Sequence, residues 1–207
     1  MNKINKILTQ LARLAFLGLL VFELLNFFQV FHFKIHFSWL TLASLTLIGW
    51  LTWEIISRYL KKQGGYSLIN PIAFLCLSAI YVDALGNVYQ WYTNVGWYDR
   101  LAHLIGGGAA GGIAFAILWA LNSSGKIRLS TKAIGIFALS MAAALGALYE
   151  IEEYFEDRFL GSHRLGDGPD VADDLFLDIV GALVVILIII LCLRLFRKKK
   201  SKANENC

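Results

Sequence analysis

"DDLFLDIVGALVVILIIILCLRLFRKKK", residues 173–200, sets three aspartates within two helical turns, then an unbroken apolar run to Leu193, then a basic cluster. One crossing of a hydrocarbon core takes about 20 predominantly apolar residues in a helix. The stretch therefore predicts a transmembrane helix with acids at one end and Arg and Lys at the other. The rest of the chain follows suit. Of its 207 residues 57% are hydrophobic and 16% charged, with mean hydropathy +0.60. Soluble domains average about 45–50% apolar and about 25% charged residues. Further spans are expected at approximately 10–30, 37–57, 69–89, 101–121 and 132–156, with the quoted one at 172–194. The expected fold class is all-α: a polytopic transmembrane helical bundle of six spans. It forms a single integral membrane domain over residues 1–207 and ends in a basic tail, 195–207. Short connections leave no room for a soluble domain. The first span follows Lys3 and Lys6 like a signal peptide. It carries Glu23 and Asn26 without a small-residue cleavage site, so it reads as a retained anchor.

Basic residues orient the spans, because loops rich in Lys and Arg stay cytoplasmic. Fifteen of the nineteen fall on one side: Lys3, Lys6 and Arg13; Arg58, Lys61 and Lys62; Lys126, Arg128 and Lys132; and the tail from Arg194 to Lys202. Lys34, Arg100, Arg158 and Arg164 fall on the other. Both termini are expected in the cytoplasm, with the chain a multi-pass protein of the cell (inner) membrane. The net charge of +4 is then a topology signal, so the expected partner is the lipid bilayer and not nucleic acid. The tail can also rest on anionic lipid, each basic residue near the surface adding roughly 1 kcal/mol. Cys76, Cys192 and Cys207 form no disulfide framework.

The carboxylates show the opposite asymmetry. Twelve of the fifteen lie in the outer portions or loops of the last four spans; Glu23, Glu54 and Glu205 are the remainder. Residues three and four apart share a helical face. On the fourth span Asp99, His103, Gly107, Gly111 and Ala114 form one stripe. On the fifth, Ala143, Gly146, Glu150, Glu153 and Asp157 form another, and on the sixth Asp174, Asp178, Gly181 and Val185 a third. Each carries acids or His outward and small residues deeper. Small residues let membrane helices approach closely, so Gly107, Gly111, Gly146 and Gly181 are the expected packing positions. Their contact brings the polar ends into one cavity open to the outside. Lipid-facing acids at the bilayer centre would cost roughly 2.5–3.5 kcal/mol each.

Clustered carboxylates repel one another, so a positive partner is expected. Carboxylates with one His suit a divalent ion, Mn, Mg, Ca or Zn, and the hard oxygens favour the first three. In that reading Glu150, Glu153, Asp174 and Asp178 hold the metal. Asp99 and His103 are the catalytic pair, and Arg100, Arg158 and Arg164 take an anion or headgroup. The competing reading is an ion-pair network with those arginines that locks the helices together. Glu152, Glu156 and Asp173 point away from the stripes and read as solvated interfacial charges. Asp83 and Asn87, one turn apart, either complete the cavity wall or bond a neighbour. The loop "DRFLGSHRLGDGPD", residues 157–170, reads as a connector with turn chemistry, or else as a lid over the cavity. His32 and His36 sit among aromatics as an interfacial anchor. Tyr89, Trp91, Tyr92, Trp97 and Tyr98 form an aromatic belt. The glycines of "YDRLAHLIGGGAAGG", residues 98–112, lack a P-loop ending and follow no strand, which excludes a phosphate cradle.

Asp99-Arg100-x-x-His103, Glu150-x-x-Glu153 and Asp174-x-x-x-Asp178-x-x-Gly181 together resemble the polytopic VanZ-like membrane proteins. "YDRLAHLIGG" and the polar loop before "DVADDLFLDIVG" resemble the YjdF-like bacterial inner-membrane family more closely. The resemblance covers about residues 69–190. Arg100, Glu153 and Asp178 depart from the VanZ-like pattern, where Lys, Gln and Asn are usual, and the last two add negative charge that favours a cation. One VanZ-like relative is associated with glycopeptide-antibiotic resistance. The resemblance implies membrane placement and the site, and supplies no reaction.

Three functions stay open on these residues. The first is a metal-dependent hydrolase or transferase acting on a lipid-linked, envelope or other anionic small-molecule substrate, with a metal-activated water as nucleophile. The second is a cation- or proton-coupled carrier or binding protein. The third is a non-catalytic membrane protein whose polar cluster fixes helix packing.

Overall fold

A computed structural model of the chain describes residues 3–35, 38–62, 68–161 and 164–205, with side chains up to Leu195 except that of Leu160. His36, His163, Cys207 and the basic side chains of the tail beyond Arg194 lie outside the described residues. The helices are α1 (Lys3–Phe27), α2 (Trp39–Lys62), α3 (Ile69–Val88), α4 (Trp91–Asn94), α5 (Tyr98–Ser123), α6 (Thr131–Leu160) and α7 (Gly168–Glu205). All but the single turn α4 are long and apolar enough to cross a membrane.

Local chemistry sets the helix limits, which overrun the expected spans at the acidic end. Ser130 caps α6 by accepting from the Ala133 amide at 3.2 Å. Helix-forming Glu and Arg carry α6 past its apolar portion until Gly161, in the left-handed region at φ 69°, stops it. Asp167 caps α7, accepting from the Asp170 amide at 3.1 Å, and Pro169 occupies the first turn, where its missing N–H costs nothing.

Side-chain pairs give the direction of each span. Glu23 meets Thr46 and Arg13 meets Glu54, so α1 and α2 are antiparallel. Tyr98 bonds the Val82 carbonyl while Gly112 faces Leu75, which makes α3 and α5 antiparallel. Gly107 faces Asp178 and Gly111 faces Ala182, which makes α5 and α7 parallel. The acids of α5, α6 and α7 therefore share one end of the bundle, the acidic end.

The helices pack as two trios, α1–α2–α3 and α5–α6–α7, joined where α3 meets α5. Near the basic end Phe16, Trp53, Leu60, Ile69 and Ile72 are fully buried, and the Trp53 indole donates to the Ile69 carbonyl at 3.0 Å. A second apolar layer joins Phe115, Ile134, Ala138 and Ile186. Most other large apolar side chains of α6 and α7, such as Phe137, Leu148, Val184 and Leu187, point outward. Water would not tolerate such a continuous belt, whereas hydrocarbon does. The small and polar residues are left inside.

Candidate functional site

The contact between α5 and α7 is made by backbone. A Cβ at Gly107 would run into the backbone of Asp178, and one at Gly181 into the Leu104 carbonyl oxygen. At Gly111 it would lie 2.7 Å from the Ala182 Cβ. Gly108 and Gly112 also face α7, against Val185, although the stripe reading did not select them. On α6, the space left by Gly146 is filled by the Asp178 carboxylate. Glycine thus removes a side-chain layer between three helices, and the acidic side chains just above meet.

They meet on His103. Its Nδ1 lies 3.5 Å from Asp178 Oδ2. Around its Nε2 stand Glu150 Oε1 at 3.8 Å, Asp99 Oδ1 at 3.9 Å and Asp174 Oδ2 at 3.9 Å. His103, Glu150, Asp174 and Asp178 are all buried, while Asp99 is half-exposed. Asp99, His103 and Asp174 each offer a ligand atom within 4.8 Å of the others. Metal–ligand bonds of roughly 2.0–2.4 Å allow ligand pairs up to about twice that distance apart, so this trio has the spacing of a cation site. Glu150 Oε1 and Asp174 Oδ1 are buried without a hydrogen-bond partner among the described residues. A buried carboxylate oxygen left unsatisfied is costly, and a cation bound by these carboxylates would offset that cost.

Glu153 stands apart from this group, on Arg164. Arg164 Nη2 is 2.6 Å from Glu153 Oε1 and donates to the Tyr149 hydroxyl at 2.7 Å, while Nη1 reaches Glu156 at 2.8 Å and Glu152 at 3.4 Å. The Arg164 and Leu165 amides both donate to the Asp157 carboxylate, at 2.7 and 3.0 Å. The loop is thereby folded back along α6, and Arg164, Leu165 and Gly166 become part of a cavity wall. Burial pulls the Arg164 guanidinium down, yet Tyr149, Glu153 and Glu156 hold it above its ordinary value. Glu152 and Glu156 are thus not simply solvated: the loop brings a cation to both, and Glu156 is only 12% exposed.

Arg100 and Arg158 lie elsewhere. Arg100 pairs with Asp173 at 3.0 Å, with both side chains more than half exposed. Arg158 is exposed and takes no part in the cavity wall.

The cavity has a volume of about 860 Å³ and lies between the two trios. Asp99, His103, Glu153 and Asp178 line one side. Glu23 and Thr46 line the other, with Asp83 and Asn87 of α3. Glu23 is 1% exposed; its Oε1 accepts from the Thr46 hydroxyl at 3.0 Å and its Oε2 has no partner among the described residues. Asp83 accepts from the Tyr92 hydroxyl at 3.1 Å and from the Asn87 amide at 3.2 Å. Glu23 lies outside the three acidic stripes of the last spans, and the spacing of Asp83 and Asn87 fits a wall residue and a neighbour's partner equally. An acid inside the apolar first span was the signal available, since such residues seldom face lipid.

A family model described as "Predicted membrane protein (DUF2238)" matches residues 11–195. That range includes α1 and α2, which the motif resemblance did not reach. Neither a curated protein nor a solved structure matches the chain.

Proposed function

The chain belongs to this family of membrane proteins, and from that premise we propose that it is a metal-dependent hydrolase or transferase acting on a lipid-linked substrate. The observation that carries the reading is the convergence of Asp99, Glu150 and Asp174 on His103 Nε2, with two of their oxygens buried and unpartnered. In this reading the ion sits among Asp99, His103 and Asp174, with Glu150 closing the set. Asp178 is the positioning residue: it accepts a hydrogen bond from His103 Nδ1–H, which keeps the proton on Nδ1 and leaves Nε2 free to ligate, as carboxylates behind ligating histidines do. Glu153 instead holds Arg164 and the loop. The divalent ion, Mn, Mg, Ca or Zn, supplies Lewis acidity and a water of lowered pKa. Asp99, the most exposed of the set, is placed to pass protons to and from the cavity.

The basic loops at the far end favour a cavity that faces the extracytoplasmic side of the inner membrane. A carrier would need a polar route through the other half of the bundle, where Phe16, Trp53, Ile72 and Ala116 pack in one apolar cluster. An envelope substrate, reached from the extracytoplasmic side, belongs to the same reading. Elemental analysis of the purified full chain tests it. Stoichiometric divalent metal in the wild type, lost in Asp174→Asn, is the expected result; metal-free protein that still turns over lipid defeats the reading.

A further inference from the structure

The metal reading leaves the opposite wall of the cavity unexplained, and that wall is also acidic. Glu23 is 1% exposed, lines the cavity, and has one carboxylate oxygen without a partner among the described residues. Asp83 lines the same wall. Across the described lining the ionisable acids are Glu23, Asp83, Asp99, Glu153, Asp170 and Asp178, against His103 and Arg164. The Arg164 guanidinium is already engaged by three glutamates and Tyr149. Charge complementarity therefore selects a cationic group at Glu23 and Asp83.

The cavity also has an apolar side at membrane depth. Leu42, Leu45 and Ile48 of α2 line it, as do Ala142 and Leu145 of α6. Ile48 is 60% and Leu145 51% exposed, and α2 and α6 do not pack closely on one another. Ile48 lies about 13 Å inside the start of α2, from the rise of 1.5 Å per residue, well within a hydrocarbon core of about 30 Å. The side of the cavity between α2 and α6 is therefore not closed by helix packing, and at this depth it gives onto acyl chains.

We propose that the cavity binds a membrane lipid with a primary-amine headgroup, its ammonium held at Glu23 and Asp83 and its hydrocarbon chain leaving between α2 and α6. An ammonium brings three donors, enough for the unpartnered Glu23 oxygen and for Asp83. This names the substrate class of the proposed enzyme and rests on that reading for catalysis, but not for binding.

The test is native mass spectrometry of the detergent-purified full chain, offered phosphatidylethanolamine and phosphatidylglycerol with the same acyl chains. The amine lipid should be retained at least about tenfold better, as expected for a desolvated charge pair. Glu23→Gln, or Asp83→Asn where the first variant folds poorly, should erase that preference. Leu145→Trp should lower retention of both lipids. Equal retention of the two lipids by the wild type overturns the proposal, as does a preference that survives in both carboxylate variants. Displacement of the lipid by soluble phosphoethanolamine at equal concentration overturns the membrane-lipid source. Metal content read on the same samples separates this inference from the enzyme. Selectivity without metal keeps the lipid site and removes the hydrolase; metal without selectivity does the reverse.

Discussion

Asp178 Oδ2 lies 3.5 Å from His103 Nδ1, and the same carboxylate fills the space that Gly146 leaves by having no Cβ. One side chain of α7 is thus fitted to α5 by charge and to α6 by shape. Gly107, packed on the Asp178 backbone, fixes the height at which this happens. Helix packing and site assembly are one event here, so changes that part α5 from α7 should damage both.

Gly181→Ala tests the packing half. The added methyl would meet the Leu104 carbonyl oxygen, which is backbone and can yield only if the helices separate. Such overpacking costs about 1–3 kcal/mol, so the melting temperature in detergent should fall. Gly106→Ala is the contrast, since a Cβ there meets nothing within 4 Å. Ala gains about 0.5–1 kcal/mol over Gly inside a helix, so that variant should melt at the wild-type temperature or above. Equal losses in the two would show that the glycines serve helix flexibility, not close approach.

Asp178→Asn tests the positioning half. The amide keeps the shape beside Gly146 but no longer draws the proton to His103 Nδ1. Removing the partner behind a ligating histidine typically costs about 10–100-fold in metal affinity. Titration of metal-depleted protein with Mn or Zn should show a loss of that size. Asp174→Asn, which removes a ligand, should lose more. An Asp178→Asn variant that binds metal like the wild type would place the ion away from His103.

Arg164→Gln should be the most damaging of the arginine changes. Its side chain is 12% exposed, and its loss leaves Glu153 and Glu156, exposed at 11% and 12%, without their cation. Breaking a buried pair from one side costs about 3–5 kcal/mol. Arg100→Gln removes a bridge whose partners are 53% and 55% exposed, and exposed pairs contribute about 0–1 kcal/mol. Thermal melts of the two variants side by side check the ranking. Comparable losses would mean that the loop is held by the Asp157 carboxylate alone.

The spans and the acids that share an end were legible because each follows from a local rule, apolar length for the spans and three- or four-residue spacing for the stripes. The stripes on α5, α6 and α7 carry His103, Glu150, Asp174 and Asp178, and the structure brings these together. What was not legible depends on contacts between distant segments. Glu153 shares its stripe with Glu150 but faces Arg164, because Arg164 and Leu165 fold back on the end of α6 through the Asp157 carboxylate. Glu152 and Glu156 enter the same network for that reason. Glu23 meets the cavity only through the way α1 packs on α2 and α3, and no periodicity in α5 to α7 encodes that.

Orientation supplies the last prediction. With Cys76, Cys192 and Cys207 replaced by Ser, single cysteines at Asp167 and Ser124 report on opposite ends of the bundle. Asp167 precedes α7 at the acidic end, and Ser124 follows α5 at the basic end, near Lys126 and Arg128. Loops rich in Lys and Arg stay cytoplasmic, so a membrane-impermeant maleimide on intact cells should label Asp167→Cys and spare Ser124→Cys. Disrupting the membrane should then expose Ser124→Cys to the same reagent. The reverse pattern would turn the cavity toward the cytoplasm. It would remove the envelope as a source of substrate while leaving the metal geometry untouched, because Asp99, His103 and Asp174 converge whichever way the bundle is inserted.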